Sequence, residues 1–228
     1  SLTKAFTASA FMRASVTSDR WTIAGIIRSL WWTMANSSPP PSNATGSAGM
    51  AGIAGLVLAA GSGQRFGGPK APFVFENEPL VDRSVRILRE SGVATVFVVL
   101  GAWIGEVPHA TVLENPDFAT GMASSLRAGL EHLTTDEPEV DRVVITLVDH
   151  IGLSVEGLTE LLGHEGRLIQ SIYGSEVGHP VVIGREHWAG LITELVGDVG
   201  AKNYLRNNNA LQVALSEFAS GTDLDHRP

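Results

Sequence analysis

Residues 58–70 read Leu-Ala-Ala-Gly-Ser-Gly-Gln-Arg-Phe-Gly-Gly-Pro-Lys and concentrate groups that bind oxyanions. Gly61, Gly63, Gly67 and Gly68 let the backbone take positive φ and approach a ligand closely. Successive amides in such a loop form a concave nest of donors. Arg65 adds a planar fork matched to phosphate oxygens, and Lys70 adds a point charge. The run 53–60 before it is apolar throughout, as in a buried strand. These residues imply a site for a phosphorylated ligand at the carboxyl end of the first strand.

Two commoner phosphate loops do not fit. The P-loop needs a hydroxyl directly after its lysine to hold magnesium, and here Ala71 follows Lys70. The dinucleotide fingerprint needs a shorter glycine spacing and an immediate helix. Here Gly61, Gly63 and Gly67 are one residue too long, and Gly67-Gly68-Pro69 opposes a helix start.

Other candidates lie further along. Asp149 ends the apolar run 143–148, where a carboxylate could hold a hard cation or cap the helix that starts near Ser154. Gly121, Ser124 and Ser125 open a helix whose N–H groups and hydroxyls suit an anion or the edge of a base, or a plain N-cap. His179, in Gly178-His-Pro-Val, is a contact for a second substrate or a loop-orienting residue. Asp198, in Gly197-Asp-Val-Gly-Ala-Lys202, is a metal ligand or a turn residue. Ser62 is not in a Gly-x-Ser-x-Gly elbow, which argues against a serine hydrolase. The seven histidines lack zinc spacing.

The spelling of 58–70 resembles the signature of molybdenum cofactor nucleotidyltransferases, the MobA/MocA-like NTP transferases. Three further stretches resemble the same family, in order: Asn115-Pro with Gly121-Met-Ala-Ser-Ser-Leu-Arg-Ala-Gly-Leu130, Gly178-His-Pro-Val181 and Gly197–Lys202. The Asn115–Leu130 stretch is closest to the cytidylyltransferase branch. The resemblance implies a nucleotide pocket of Leu58, Ala59, Ala60, Gly61, Gly63, Gly67, Ser124 and Ser125. Arg65 and Lys70 would hold phosphates, Asp149 and Asp198 would bind Mg²⁺, and His179 and Lys202 would face the acceptor. The family carries Asp-x-Pro where this chain has Asp149-His150-Ile151. The implied activity is NMP transfer from an NTP to a phosphorylated acceptor, with pyrophosphate released. Ala60 points to CTP, and molybdopterin is the acceptor expected, with a molybdoenzyme as a candidate partner. A nicotinamide-dependent oxidoreductase related to the family, a sugar-phosphate nucleotidyltransferase and a non-catalytic binding module are the competing readings.

Strand-like runs at 95–100, 111–113 and 142–148 alternate with helical spacing at 79–90, 121–133 and 155–162. That alternation predicts an α/β, three-layer, Rossmann-like fold with a mostly parallel sheet and helices on both faces. Strands at 168–173 and 180–183 read as a hairpin, followed by helices at 186–196 and 201–207 and a strand at 210–215. Ligands in such sheets sit beyond the carboxyl ends of the strands. The loops after Ala60, Leu100 and Val148 should therefore line one crevice.

At 228 residues, 44% hydrophobic, the chain can build one substantial α/β domain, expected over 49–228. It has no cysteine, so disulfides, thiolate metal sites and a cysteine nucleophile are excluded. A formal charge of −8 opposes general nucleic-acid binding. Residues 1–48 differ in character: Lys4, Arg13, Arg20 and Arg28 face Asp19 alone, and 36–49 is rich in Ser, Pro, Asn and Gly. This stretch reads as an extension and flexible linker, expected to be disordered. Targeting peptide, amphipathic arm and upstream sequence compete as its origin, the last favoured. Its apolar part holds Arg28 and is short of the ~20 residues of a membrane span. A cytoplasmic, membrane-free enzyme is the expectation.

Overall fold

The structure, a computed structural model, describes residues 52–227. The expectation for 1–48 lies outside these residues. In chain order the elements are β1 (Ile53–Leu58), β2 (Val74–Phe75), β3 (Glu78–Pro79), α1 (Leu80–Glu90), β4 (Thr95–Leu100) and β5 (Thr111–Glu114). A 3₁₀ turn (Phe118–Thr120), α2 (Met122–Asp136), β6 (Arg142–Leu147) and α3 (Val155–Leu162) follow. The chain continues with β7 (Leu168–Tyr173), β8 (Glu176–Gly184), α4 (Arg185–Glu194), α5 (Lys202–Asn207) and β9 (Leu211–Ala214).

Seven strands form one sheet in the order β5-β4-β1-β6-β8-β7-β9. β1 pairs in parallel with both β4 and β6, placing Gly55 beside Val96 and Val144. Only β8 runs against its neighbours. All six residues of β1 are buried, which explains its unbroken apolar run: neighbours flank it and helices cover both faces.

Alternation along β1 divides the core. Ile53 and Val57 join the layer of α1 and α3, with Val85, Leu88, Leu158 and Leu161. Ala54, Leu56 and Leu58 join the opposite layer, with Leu126, Leu130 and Trp188 from α2 and α4. The Trp188 indole N–H donates to the Ile183 carbonyl at 3.1 Å, so this fully buried ring leaves no orphan donor.

The order of strands creates the site. From β1 the chain moves outward to β4 and β5, then returns on the other side as β6. The carboxyl ends of β1 and β6 therefore diverge at a switch point, where a crevice must open. Among the described residues no helix is long and apolar enough to cross a membrane.

Candidate active site

A cleft of about 760 Å³ opens there. Its floor is Leu58 and Ala60, one wall is Gly61–Phe66 with Lys70, and the other is Leu147–Asp149. Met122 and Ser125 at the start of α2, the turn before it from Phe118 to Gly121, Asp198 and Asp225 also line it.

The glycine-rich loop takes its shape from Gly63. At φ +59 a Cβ on this residue would lie 2.0 Å from the Gly68 carbonyl oxygen, so the turn admits only glycine. The Gly63 carbonyl accepts from the amides of Gly67 (2.9 Å) and Gly68 (3.1 Å), closing the loop on itself. No backbone N–H from Gly61 to Phe66 donates to a protein acceptor among the described residues. Those amides are the nest, and Gly67 shapes it rather than lining the cleft. Ala59 turns away into the core, its N–H bonded to Val99 O at 2.9 Å. No helix follows until Leu80, so no helix N-terminus stands over this loop.

Lys70 Nζ donates to Asp149 Oδ2 at 2.7 Å and stands 3.7 Å from Asp225 Oδ1. The two sides of the cleft are thus bridged by one ammonium and two carboxylates. Asp149 does not cap α3: Ser154 does, its hydroxyl accepting from Gly157 N at 2.9 Å. The turn behind Asp149 lacks the family's proline and is held otherwise. Arg83 Nη2 on α1 donates to Ile151 O at 2.9 Å. Leu224 N donates to Asp149 O at 2.8 Å, and His150 Nε2 contacts Ser220 O at 2.8 Å. His150 is 4% exposed and its Nδ1 has no partner among the described residues.

The start of α2 differs from expectation. Ala123 N donates to Gly197 O (2.9 Å) and Ser124 N to Gly121 O (3.2 Å), so these amides are already used. The Ser124 hydroxyl shares its one proton between the backbone carbonyls of Gly121 and Asp117 and accepts from Asn115 Nδ2 at 2.9 Å, so it ties the start of α2 to the preceding turn and does not line the cleft. Ser125 does line the cleft; it accepts from Asn115 Nδ2 at 3.0 Å and keeps its own proton to donate. Asp198 lies in the same cleft beside Gly121.

His179 and Lys202 lie apart from this cleft. Lys202 is the exposed first residue of α5. His179 lines a separate cavity of about 240 Å³ with His150, Tyr173 and Asp223. Burial, then the neighbouring His150, pushes its imidazole down to about 4. Burial also lowers His150, against the pull of the Ser220 carbonyl and Asp149. Asp223 is pushed up to about 6 by burial and by Asp149 and Asp225.

Sequence reasoning missed the segment 220–227, which places Asp225 by Lys70 and Leu224 against the Asp149 turn. Its only signal is alternate carboxylates, Asp223 and Asp225, after the last strand, inconspicuous in an acidic chain.

Among the described residues no three His, Asp or Glu side chains converge as a metal cage. Asp149 and Asp225 do share one cation-holding point, the Lys70 ammonium. Such a pair fits Mg²⁺, which takes one or two carboxylates and completes its shell with phosphate oxygens and water.

A doubly wound sheet, an amide nest at its switch point and a Lys–Asp bridge define an enzyme of the nucleotidyltransferase type. The sequence model of the MobA-like NTP transferase domain matches residues 55–213, and the chain belongs to that family. It is 32% identical over 191 residues to the nicotine blue oxidoreductase of Paenarthrobacter nicotinovorans, covering 76% of this chain and 92% of the relative. The fold is similar to that of Rv0371c from Mycobacterium tuberculosis H37Rv, at TM-score 0.62 and 23% identity, covering 76% of this chain and 93% of that one. That protein is also known as a manganese complex, here at TM-score 0.56 and 22% identity, covering 72% and 88%. A nucleotidyl transferase from Methanothermobacter matches at TM-score 0.61 and 18% identity, covering 76% and 92%.

Proposed function

We propose that the enzyme transfers an NMP group, CMP by preference, from an NTP to a phosphorylated acceptor, molybdopterin being the acceptor favoured. One observation carries this reading: the free amides of 61–66, Lys70 and Asp149 meet in one cleft at the sheet's switch point. An oxygen of the acceptor phosphate forms a bond to the α-phosphorus. The bond from that phosphorus to the bridging oxygen of pyrophosphate breaks. The attacking oxygen is already ionised near neutral pH, so the protein supplies position and charge rather than a strong base.

Each residue then has a task. The Gly61–Phe66 amides hold the triphosphate tail, and Arg65 and Lys70 offset its charge. Ser125 donates toward the nucleotide from the α2 wall, and Ala60 keeps the floor shallow under the base. Asp149, with Asp225 beside the same ammonium, would hold Mg²⁺, and Asp198 on the α2 wall is a further candidate ligand. The metal would supply charge neutralisation on the transferring phosphoryl group. His179 and Lys202 stand outside the cleft; His179, in the separate cavity with His150 next to Asp149 in the chain, is the better placed of the two for an acceptor's far end. The reaction is that of a cytoplasmic enzyme.

A second reading, a nicotinamide-dependent oxidoreductase, is favoured by the name of the Paenarthrobacter relative. The loop speaks against it, because it leads into the β2–β3 hairpin and not a helix. A pyrophosphate-release screen separates the readings: four NTPs with Mg²⁺ or Mn²⁺, each with molybdopterin, glucose 1-phosphate or no acceptor. Acceptor-dependent pyrophosphate with CTP is expected. No pyrophosphate under any pairing, together with NADPH oxidation matched by reduction of nicotine blue in a parallel arm, would establish the second reading.

A further inference from the structure

The glycine-rich loop has few internal ties. Beyond the turn at Gly63, its anchor is Phe66, 3% exposed, with the Phe73 ring edge-on at 4.8 Å and 88°. The segment 220–227 crosses from the Asp149 turn to this pair. It is fixed at its start by Ser220 N to Gly152 O (3.0 Å), Gly152 N to Thr222 O (3.1 Å) and Leu224 N to Asp149 O (2.8 Å). Leu224 is 8% exposed, which seats the strap. Beyond it, the Arg227 guanidinium lies 5.4 Å from the Phe66 centroid and 5.6 Å from that of Phe73. Its Nη2 donates to Gly67 O at 3.3 Å.

We infer that Arg227 is a positioning residue that clasps the glycine-rich loop, through the Phe66–Phe73 pair and the Gly67 carbonyl, in the shape that presents its amides to the nucleotide triphosphate. The inference rests on the proposed nucleotide site and adds a residue to it. A guanidinium within cation–π reach of two rings, with a directed bond to the Gly67 carbonyl besides, makes a set of contacts that an ammonium cannot reproduce in full. Because the strap also carries Asp225 and holds the Asp149 turn, the loop after β1 and the turn after β6 are set by one piece of chain. Without the clasp, the loop must be ordered by the incoming nucleotide at the cost of affinity.

The test uses the full chain and the variants Arg227→Ala and Arg227→Lys. Arg227 is exposed, so neither change empties the core. Hydrogen exchange without nucleotide should show faster exchange at the amides of Gly67 and Gly68, the bonded pair of the loop, in Arg227→Ala, with 95–100 unchanged. In the pyrophosphate assay, KM for CTP with Mg²⁺ should rise on the order of tenfold while kcat stays within about twofold. Arg227→Lys should fall between, keeping the cation and losing the fork. Unchanged exchange at Gly67 and Gly68 overturns the inference, as does a loosened loop with an unaltered KM. Should the wild-type chain release no pyrophosphate, the proposed function fails, and the exchange result still decides whether Arg227 holds the loop.

Discussion

Lys70 answers two carboxylates, at 2.7 Å and 3.7 Å, with its side chain only 15% exposed. Its ammonium is therefore held in the cleft before any phosphate arrives. Phosphate binding exchanges one anionic partner for another, so little reorganisation is required, which is the condition under which a charge stabilises a transition state well. Lys70→Ala should lower the pyrophosphate-release rate by on the order of 100-fold or more. The pair is partly wet, so its removal should move the thermal midpoint by no more than a few degrees. A large fall in midpoint would recast Lys70 as a structural residue. The sequence marks this residue clearly, since a lysine closing four glycines has few bland explanations. The same sequence is silent on Asp225, whose approach depends on how far the last segment folds back.

At the scale of elements, the docking of the 197 turn onto α2 decides the shape of the second wall. Gly121 has φ +118, and a Cβ there would lie 2.4 Å from both the carbonyl carbon and oxygen of Gly197. Backbone cannot yield as a side-chain end can, so the turn must lift. Gly121→Ala should destabilise by about 1–3 kcal/mol, read as a shift in denaturant midpoint, with weaker nucleotide binding alongside. An unshifted midpoint would show that the turn is not needed to close α2. Periodicity identifies the strands of the parallel core because each is covered on both faces. It misses the β2–β3 hairpin, whose turn is Glu76-Asn77 at φ 52 and 70 in place of the Asn-Gly that signals such turns. It also shortens β8, which runs from Glu176 to Gly184 rather than over 180–183 alone. Gly174 and Gly178 read as the excursion between two strands, yet β8 already includes Gly178, with a register shift opposite Gln170 and Ser171. The spelling of the α2 start suggests open donors, and only tertiary contact shows that the 197 turn fills part of that place.

Across the whole molecule, the β7–β8 hairpin and the C-terminal strap enclose the cavity where His150, His179 and Asp223 face one another. Two of these groups act on stability with opposite signs. His179 is pushed down to about 4, so between that value and its ordinary 6.5 the unfolded chain binds the extra proton. Its contribution is present above about pH 6.5 and is lost as pH falls toward 4. Asp223 is pushed up from 3.8 to about 6, so in that window the native state holds the extra proton. Its contribution is present below about pH 4 and is lost as pH rises through 6. On acidification from pH 7 to 4.5 the first therefore destabilises and the second stabilises. Removing each group should expose the other. The thermal midpoint of His179→Gln should fall less over that range than the wild type's, and that of Asp223→Asn should fall more. Parallel midpoint curves for all three proteins would mean that neither group titrates differently in the folded chain, and that the cavity is open to water.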